Sequence, residues 1–391
     1  MKRLFFLLLL FPIYFSCGRK TSESLKDQVC LVPSDTISFL IDDSTYYESR
    51  AMFQFEDQGR EYMCFQNNRN RGVSRLIIFD IEKECVYKSV PLRKEGPDGM
   101  PSVMGGYPLD MNHFLITSNS PFFYMVDDKG RILFKSEPLY QGHGDFGRFA
   151  PTFFLSYIST PAILRDSLFY FPQTQIGYPH TKDTWRTSNI FASVNLQTGQ
   201  LNTTQFCYPS IFNKEEITRT LSYESGHSYA DTGREVAVSF WKSDSIYVSS
   251  DFNHVRAHNA KSRYFPHLHP EPYDATIDLL VRLRKEAQEP EYHHLLYDKY
   301  RHVFYRFACM PYEYPADRSP MGEDSGCEFS IIILNDRYEI IGETKFPGST
   351  YAYRLWFIGK KGLYLSLNNQ ENPCFDEDKL MFRCFTLQEN K

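Results

Sequence analysis

A short apolar strand that bends on Asp, Asn or Gly and leads straight into a second strand recurs along this chain. The copies are Arg75–Val90, Phe122–Phe134, Ile190–Leu201, Ser245–His254, Ser330–Ile341 and, at the end, Leu380–Leu387. Their turns fall near residues 82, 128, 198, 253, 336 and 389. Asp, Asn and Gly suit such bends because they tolerate left-handed backbone or cap their own chain. The longer intervals contain identifiable extras, a loop at Phe171–Ser188 and an insert at Pro270–Tyr300. Without those extras the unit repeats about every 40–50 residues, which for strands signals a β-propeller. Tyr and Phe number 27 and 33, and broad rings pack well on pleated surfaces.

The expected fold is therefore all-β, a propeller of six blades, or seven if one more lies within residues 205–245. Thr36–Ile41 reads as a strand with no local partner, and Met381–Leu387 ends the chain as another. Pairing the two would close the ring and remove an open sheet edge. Inside the insert, about 270–300, Ile277, Leu280, Leu283 and Ala287 recur at helical spacing until Glu289-Pro290 stops them. Tyr292–Tyr300 reads as a second short helix. The helical face is expected to pack on the rim of the disc.

The first residues concern address rather than fold. Lys2 and Arg3 precede an apolar run, and Ser16-Cys17-Gly18 follows it. A basic start, a short apolar stretch and a small residue before the cut make an export signal. Leu4–Phe15 is 12 residues long, whereas a spanning helix needs roughly 20. With Cys directly after the small residue, the segment resembles a bacterial lipoprotein signal, which implies that Cys17 is acylated. The expected division is a signal at 1–16, a lipid anchor and tether at 17–36, and the propeller at 37–391. The residues after Cys17 carry no acidic cluster. This favours the outer membrane, facing the periplasm.

Cleavage of the leader takes the formal charge from −5 to −7. Nucleic acid is not an expected partner, because phosphate binding needs clustered Lys and Arg. Eight Cys remain besides Cys17, none at CxxC spacing, so no zinc site is expected. Cys309 and Cys327 flank a loop between two strands and are the best disulfide pair, since an exported address permits one.

Few residues suggest catalysis. There is no GxSxG, HExxH or phosphate-binding loop. His267, His269, His293 and His294 read as surface histidines. Asp42-Asp43, Asp127-Asp128, Glu215-Glu216, Glu323-Asp324 and Asp376-Glu377-Asp378 are adjacent acids. On a strand such neighbours point to opposite faces and form no catalytic pair. Asp376–Asp378 reads as a solvated loop rather than a calcium site. No catalytic residue, metal or cofactor is expected. Tyr157, Tyr178, Trp185, Tyr312 and Tyr314 lie in or near long loops. Aromatic platforms with polar rims suit sugars and peptides, although rings of this kind also close blade seams.

Ser16-Cys17, Glu95-Gly96-Pro97, and Tyr297-Asp298-Lys299-Tyr300-Arg301 leading into Val303–Phe307 carry a resemblance. The chain resembles the uncharacterised domain-of-unknown-function lipoproteins of Bacteroidetes that adopt a TolB-like six-bladed propeller. The resemblance implies no catalytic residues. The expected function is a lipid-anchored binding or scaffold module for a peptide, glycan or protein partner. The alternative is a propeller hydrolase or lyase acting on a carbohydrate. The lining of the central funnel separates the two readings.

Overall fold

The computed structural model describes residues 28–67, 74–101, 103–118, 122–136, 156–172, 189–212, 226–266, 268, 277–320 and 326–390. Six four-stranded antiparallel sheets form the ring. The first strand, β1 (Val29–Leu40), joins the last sheet. Blade 1 comprises β2 (Met52–Asp57), β3 (Arg60–Asn67), β4 (Ser74–Asp80) and β5 (Cys85–Leu92). Blade 2 comprises β6 (Val103–Pro108), β7 (His113–Ser118), β8 (Phe123–Asp127) and β9 (Ile132–Lys135). Blade 3 comprises β10 (Ile163–Arg165), β11 (Leu168–Pro172), β12 (Phe191–Asn195) and β13 (Leu201–Thr203). Blade 4 comprises β14 (His227–Asp231), β15 (Val236–Phe240), β16 (Ser245–Ser249) and β17 (Arg256–Asn259). Blade 5 comprises β18 (Glu291–Asp298), β19 (Val303–Cys309), β20 (Phe329–Leu334) and β21 (Ile340–Phe346). Blade 6 comprises β22 (Ala352–Ile358), β23 (Leu363–Ser366) and β24 (Lys379–Glu389), with β1 outermost.

The repeat seen in the sequence is the third and fourth strand of blades 1 to 5; in blade 6, Leu380–Leu387 is the third strand alone and β1 supplies the fourth. Its turns use the expected chemistry. Asp251 Oδ1 accepts from the amides of Asn253 and His254, and Asn335 Oδ1 from those of Arg337 and Glu339. Gly130 needs its positive φ of 73° and its lack of side chain, because a Cβ there would lie 1.9 Å from the Pro91 carbonyl.

Closure of the ring follows the expected pairing. Thr36 stands opposite Arg383, Ile37 opposite Phe382, and Phe39 opposite Leu380. The strand begins earlier than the sequence indicates. Val29 pairs with Glu389, so residues 29–36 belong to the blade rather than to a tether, and β24 runs through the expected turn at 389. The extension holds because Leu31 is buried against blade 5 and its amide donates to Thr344 Oγ1 at 2.9 Å. Phe39 is fully buried between blades 6 and 1, its ring 4.9 Å from that of Phe79.

The insert is smaller than expected. Among the described residues of the insert only α1 (Leu279–Ala287) is helical; Asp278 caps it by accepting from the amides of Leu280 and Val281. Tyr292–Tyr300 is not a second helix. Glu291–Asp298 is the inner strand of blade 5. Its buried residues lie on both faces of the sheet (Tyr292, His294, Leu295, Leu296, Asp298), so the period-two signature of a half-exposed strand is missing. No described helix is long and apolar enough to cross a membrane.

The turn after β18 locks three blades together. Asp298 is fully buried. It accepts from the amides of Tyr300 and Arg301, from Arg301 Nη1 at 2.9 Å, and from Tyr305 Oη at 3.2 Å. The turn thereby presents Tyr300, whose hydroxyl donates to Glu56 Oε1 of blade 1 at 2.6 Å. Lys299 and, from blade 6, Lys360 pair with the same carboxylate at 2.8 and 3.0 Å. Lys299, then Tyr300 and Lys360, hold the Glu56 carboxyl at about 2 against its ordinary 4.5. A carboxyl depressed in the folded chain stabilises fully above its unfolded value, and that stability is lost as acid protonates it. Melting temperature is therefore expected to fall between pH 4.5 and 2, and Glu56→Gln to flatten that part of the profile. An identical acid limb in the variant would contradict the assignment.

Candidate functional site: two cavities at the ring centre

The inner strands of all six blades surround a central cavity of about 330 Å³. Rings from five blades stand among its aliphatic residues: Phe53 from β2, Tyr107 from β6, Tyr229 from β14, Tyr297 from β18, and Trp356 and Phe357 from β22. Burial raises the phenols of Tyr107 and Tyr229, so both stay neutral. The described lining holds one carboxylate, Asp231. It is already engaged, by Arg165 Nη2 at 2.7 Å and by the Gly233 amide at 3.0 Å. No second acid or histidine among the described lining residues converges with it.

A second, smaller cavity of about 100 Å³ lies beneath α1. Leu283 and Ala287 of the helix, Glu291 and His293 of β18, and Tyr353 and Arg354 of β22 border it, with Tyr312 and Tyr314 from the loop after β19. That loop is fastened to the helix. The Tyr312 amide donates to the Ala287 carbonyl at 2.7 Å, and Arg284 Nη1 donates to the carbonyls of Tyr314 and Pro315, both at 2.9 Å. Tyr312 and Tyr314 meet edge to face at 4.9 Å. Glu291 pairs with His293 at 3.0 Å, and Glu289 with Lys242 at 3.0 Å.

His294 lines neither cavity but packs against residues of both. Its ring lies 5.9 Å from His293 and 6.4 Å from Tyr353, which border the upper pocket, and 5.6 Å from Trp356, which borders the channel. It is 6% exposed, and neither ring nitrogen has a hydrogen-bond partner among the described residues. The same holds for Trp356 Nε1. Burial, then the neighbouring charges of His293 and Arg354, keep His294 neutral. His293 and His294 are therefore not surface histidines. The inner strand turns them into the seam between blades 5 and 6.

Other expectations resolve individually. Cys309 and Cys327 are brought together but not joined. Both are buried free thiols; burial, then contact with Cys327, pushes the Cys309 thiol up. A thiol so raised is no nucleophile at neutral pH. Tyr157 is buried inside the ring rather than offered as a platform. Asp42 is bound by Arg75, Asp127 by Arg131, and Asp376 by Lys379. Among the described residues no group of three or more His, Cys, Asp or Glu could hold a metal ion. Cys17, Tyr178, Trp185, Glu215, Glu216, His267, His269, Glu323 and Asp324 lie outside the described residues. The sequence reading overlooked Asp231, Arg354 and Trp356. A charged or indole side chain inside an apolar strand was the available signal.

A solved relative shares the architecture. The solved structure of a DUF4221 family member from Bacteroides vulgatus is 37% identical, with a TM-score of 0.85, covering 93% of this chain and 100% of that one. BamB from Moraxella catarrhalis matches at 10% identity and a TM-score of 0.36, over 91% and 100% of the two chains. A streptogramin B lyase matches at 10% and 0.42, over 93% and 98%. No curated protein matches the chain. The model of the family described as "Domain of unknown function (DUF4221)" matches residues 28–345. A ring of six blades with this segment inside it, and a fold shared with a solved member at 37% identity, mean that the chain belongs to the DUF4221 family.

Proposed function

We propose that the protein is a non-enzymatic binding module, held to the cell envelope by lipid on Cys17 and offering the centre of its ring to a peptide, glycan or protein segment. One observation carries the reading: the central wall carries aromatic rings from five blades, and its single described carboxylate is tied to Arg165. A concave surface that mixes rings with fixed polar groups suits a bound ligand. Among the described lining residues there is no pair of carboxyls roughly 5–10 Å apart, as glycoside hydrolysis needs. The address is the outer membrane, with the propeller in the periplasm.

A thermal-shift screen of peptides and neutral glycans tests the reading. A ligand that binds only the folded chain raises the melting temperature by mass action, and at least one class is expected to do so by several degrees. A flat response to both classes would remove the proposal. For the anchor, Cys17→Ala is expected to move the protein from the membrane fraction to the soluble fraction. A variant that still sediments with membranes would contradict it.

A further inference from the structure

We infer that the ring stands on the membrane with the face of its hairpin turns toward the lipid, so that the opposite face, which carries α1, is the one a periplasmic partner meets first. The inference rests on the lipid anchor proposed above and adds an orientation to it.

Strand order divides the connections between the two faces. Within the blades, the links from first to second strand and from third to fourth lie at one face, and the remaining links lie at the other. On the first face each link is two to six residues long, from Gln58-Gly59 to residues 250–255. Every link longer than six residues lies on the other face, among them 41–51, 260–290 with α1, 310–328 and 367–378. The chain enters at the face of short turns. The Gln28 amide donates to the Ile341 carbonyl, just after the turn at 335–339, at 2.9 Å, and the Gln28 carbonyl accepts from the Asn390 amide at 2.8 Å. From there β1 crosses the disc. Its twelve residues end at Leu40, opposite Lys379, a rise of about 36 Å.

Chain length then sets the orientation. Cys17 and Gln28 are eleven residues apart, and eleven residues span at most ~38 Å. With lipid on Cys17, Gln28 stays within that distance of the bilayer surface. Turning the face of long links to the lipid lifts Gln28 by the length of β1, about 36 Å. The linking chain would then be drawn taut and forfeit backbone entropy that the reverse orientation keeps. The early start of β1 decides this. A tether running to residue 36 would reach ~65 Å and impose no such limit.

The molecule carries its own reporters. Cys85 opens β5 at the face of short turns, and Cys374 lies in the link between β23 and β24 on the other; both are exposed thiols, in the neighbouring blades 1 and 6. A thiol-reactive fluorophore is placed on Cys85 in a Cys374→Ser chain and on Cys374 in a Cys85→Ser chain, with peptide mapping to confirm its position. Both substitutions replace exposed side chains, so both variants are expected to melt with the parent. The acylated full chain, purified from membranes, is bound to liposomes that contain an energy-accepting headgroup lipid. Transfer from Cys85 is expected to be at least ~2-fold stronger than from Cys374, because the two differ in height by about the length of a strand. Equal transfer, or stronger transfer from Cys374, would overturn the orientation and leave the anchor in place. A chain that does not float with the liposomes would remove the anchor, and the orientation with it.

Discussion

A chain without residues 28–40 is expected to self-associate and to melt more than 10 °C below the full propeller, an effect well above ~5 kcal/mol at the usual conversion for large domains. Removing β1 uncovers the whole of β24, Lys379–Glu389, as a row of unpaired backbone donors and acceptors. It also removes Leu31, Ile37 and Phe39 from seams in which all three are buried. Loss of a buried Phe alone costs about 3–5 kcal/mol. Light scattering after gel filtration, together with a thermal melt, reads both consequences. A monomer that melts within a few degrees of the full chain would show that the ring does not depend on this closure.

Arg306→Met is expected to cost about 3–5 kcal/mol, or roughly 5–10 °C in melting temperature. Arg306 has no exposed surface. From β19 its Nε donates to Ser239 Oγ at 2.9 Å, Nη1 to the Ala260 carbonyl at 2.8 Å and Nη2 to the Ser243 carbonyl at 2.5 Å. The guanidinium lies 3.4 Å from the centre of the Tyr292 ring. Burial lowers its pKa to about 10, so the group remains a cation at neutral pH. Methionine fills the stem but leaves the blade 4 carbonyls without donors in a dry seam, and each orphaned group costs about 1–3 kcal/mol. Arg306→Lys is expected to recover only part, since an ammonium cannot reproduce the planar fork. A methionine variant that melts with the parent would mean that the seam rearranges without penalty.

Much of this ring was legible from local chemistry. The outer hairpins announced themselves because their turns need Asp, Asn or Gly and their third strands are apolar runs. The closing strand stood out because Thr36–Ile41 had nowhere else to pair. Inner strands were harder. Tyr292–Asp298 is buried on both sides, and a bulge breaks its alternation, so Tyr-His-His-Leu-Leu passed for a helix. The same burial hid residues in and beside the site. His294 looked like a surface residue because nothing local indicates that blade 6 will cover it with Tyr353 and Trp356. Asp231 gave no sign of its partner, as Arg165 is a blade away and 66 residues distant. Arg306 left a signal that went unread: a lone cation between Tyr305 and Phe307 in an apolar strand persists only with buried acceptors.

Trp356 borders the channel, so it reports on the proposed site. Fluorine NMR of the protein labelled with 5-fluorotryptophan, with the resonance assigned through Trp356→Phe, follows it directly. A stabilising ligand is expected to shift the Trp356 signal while leaving that of Trp241, packed against Phe212 in another seam, in place. A saturating ligand that moves Trp241 and leaves Trp356 unchanged would place binding away from the centre of the ring and contradict this account.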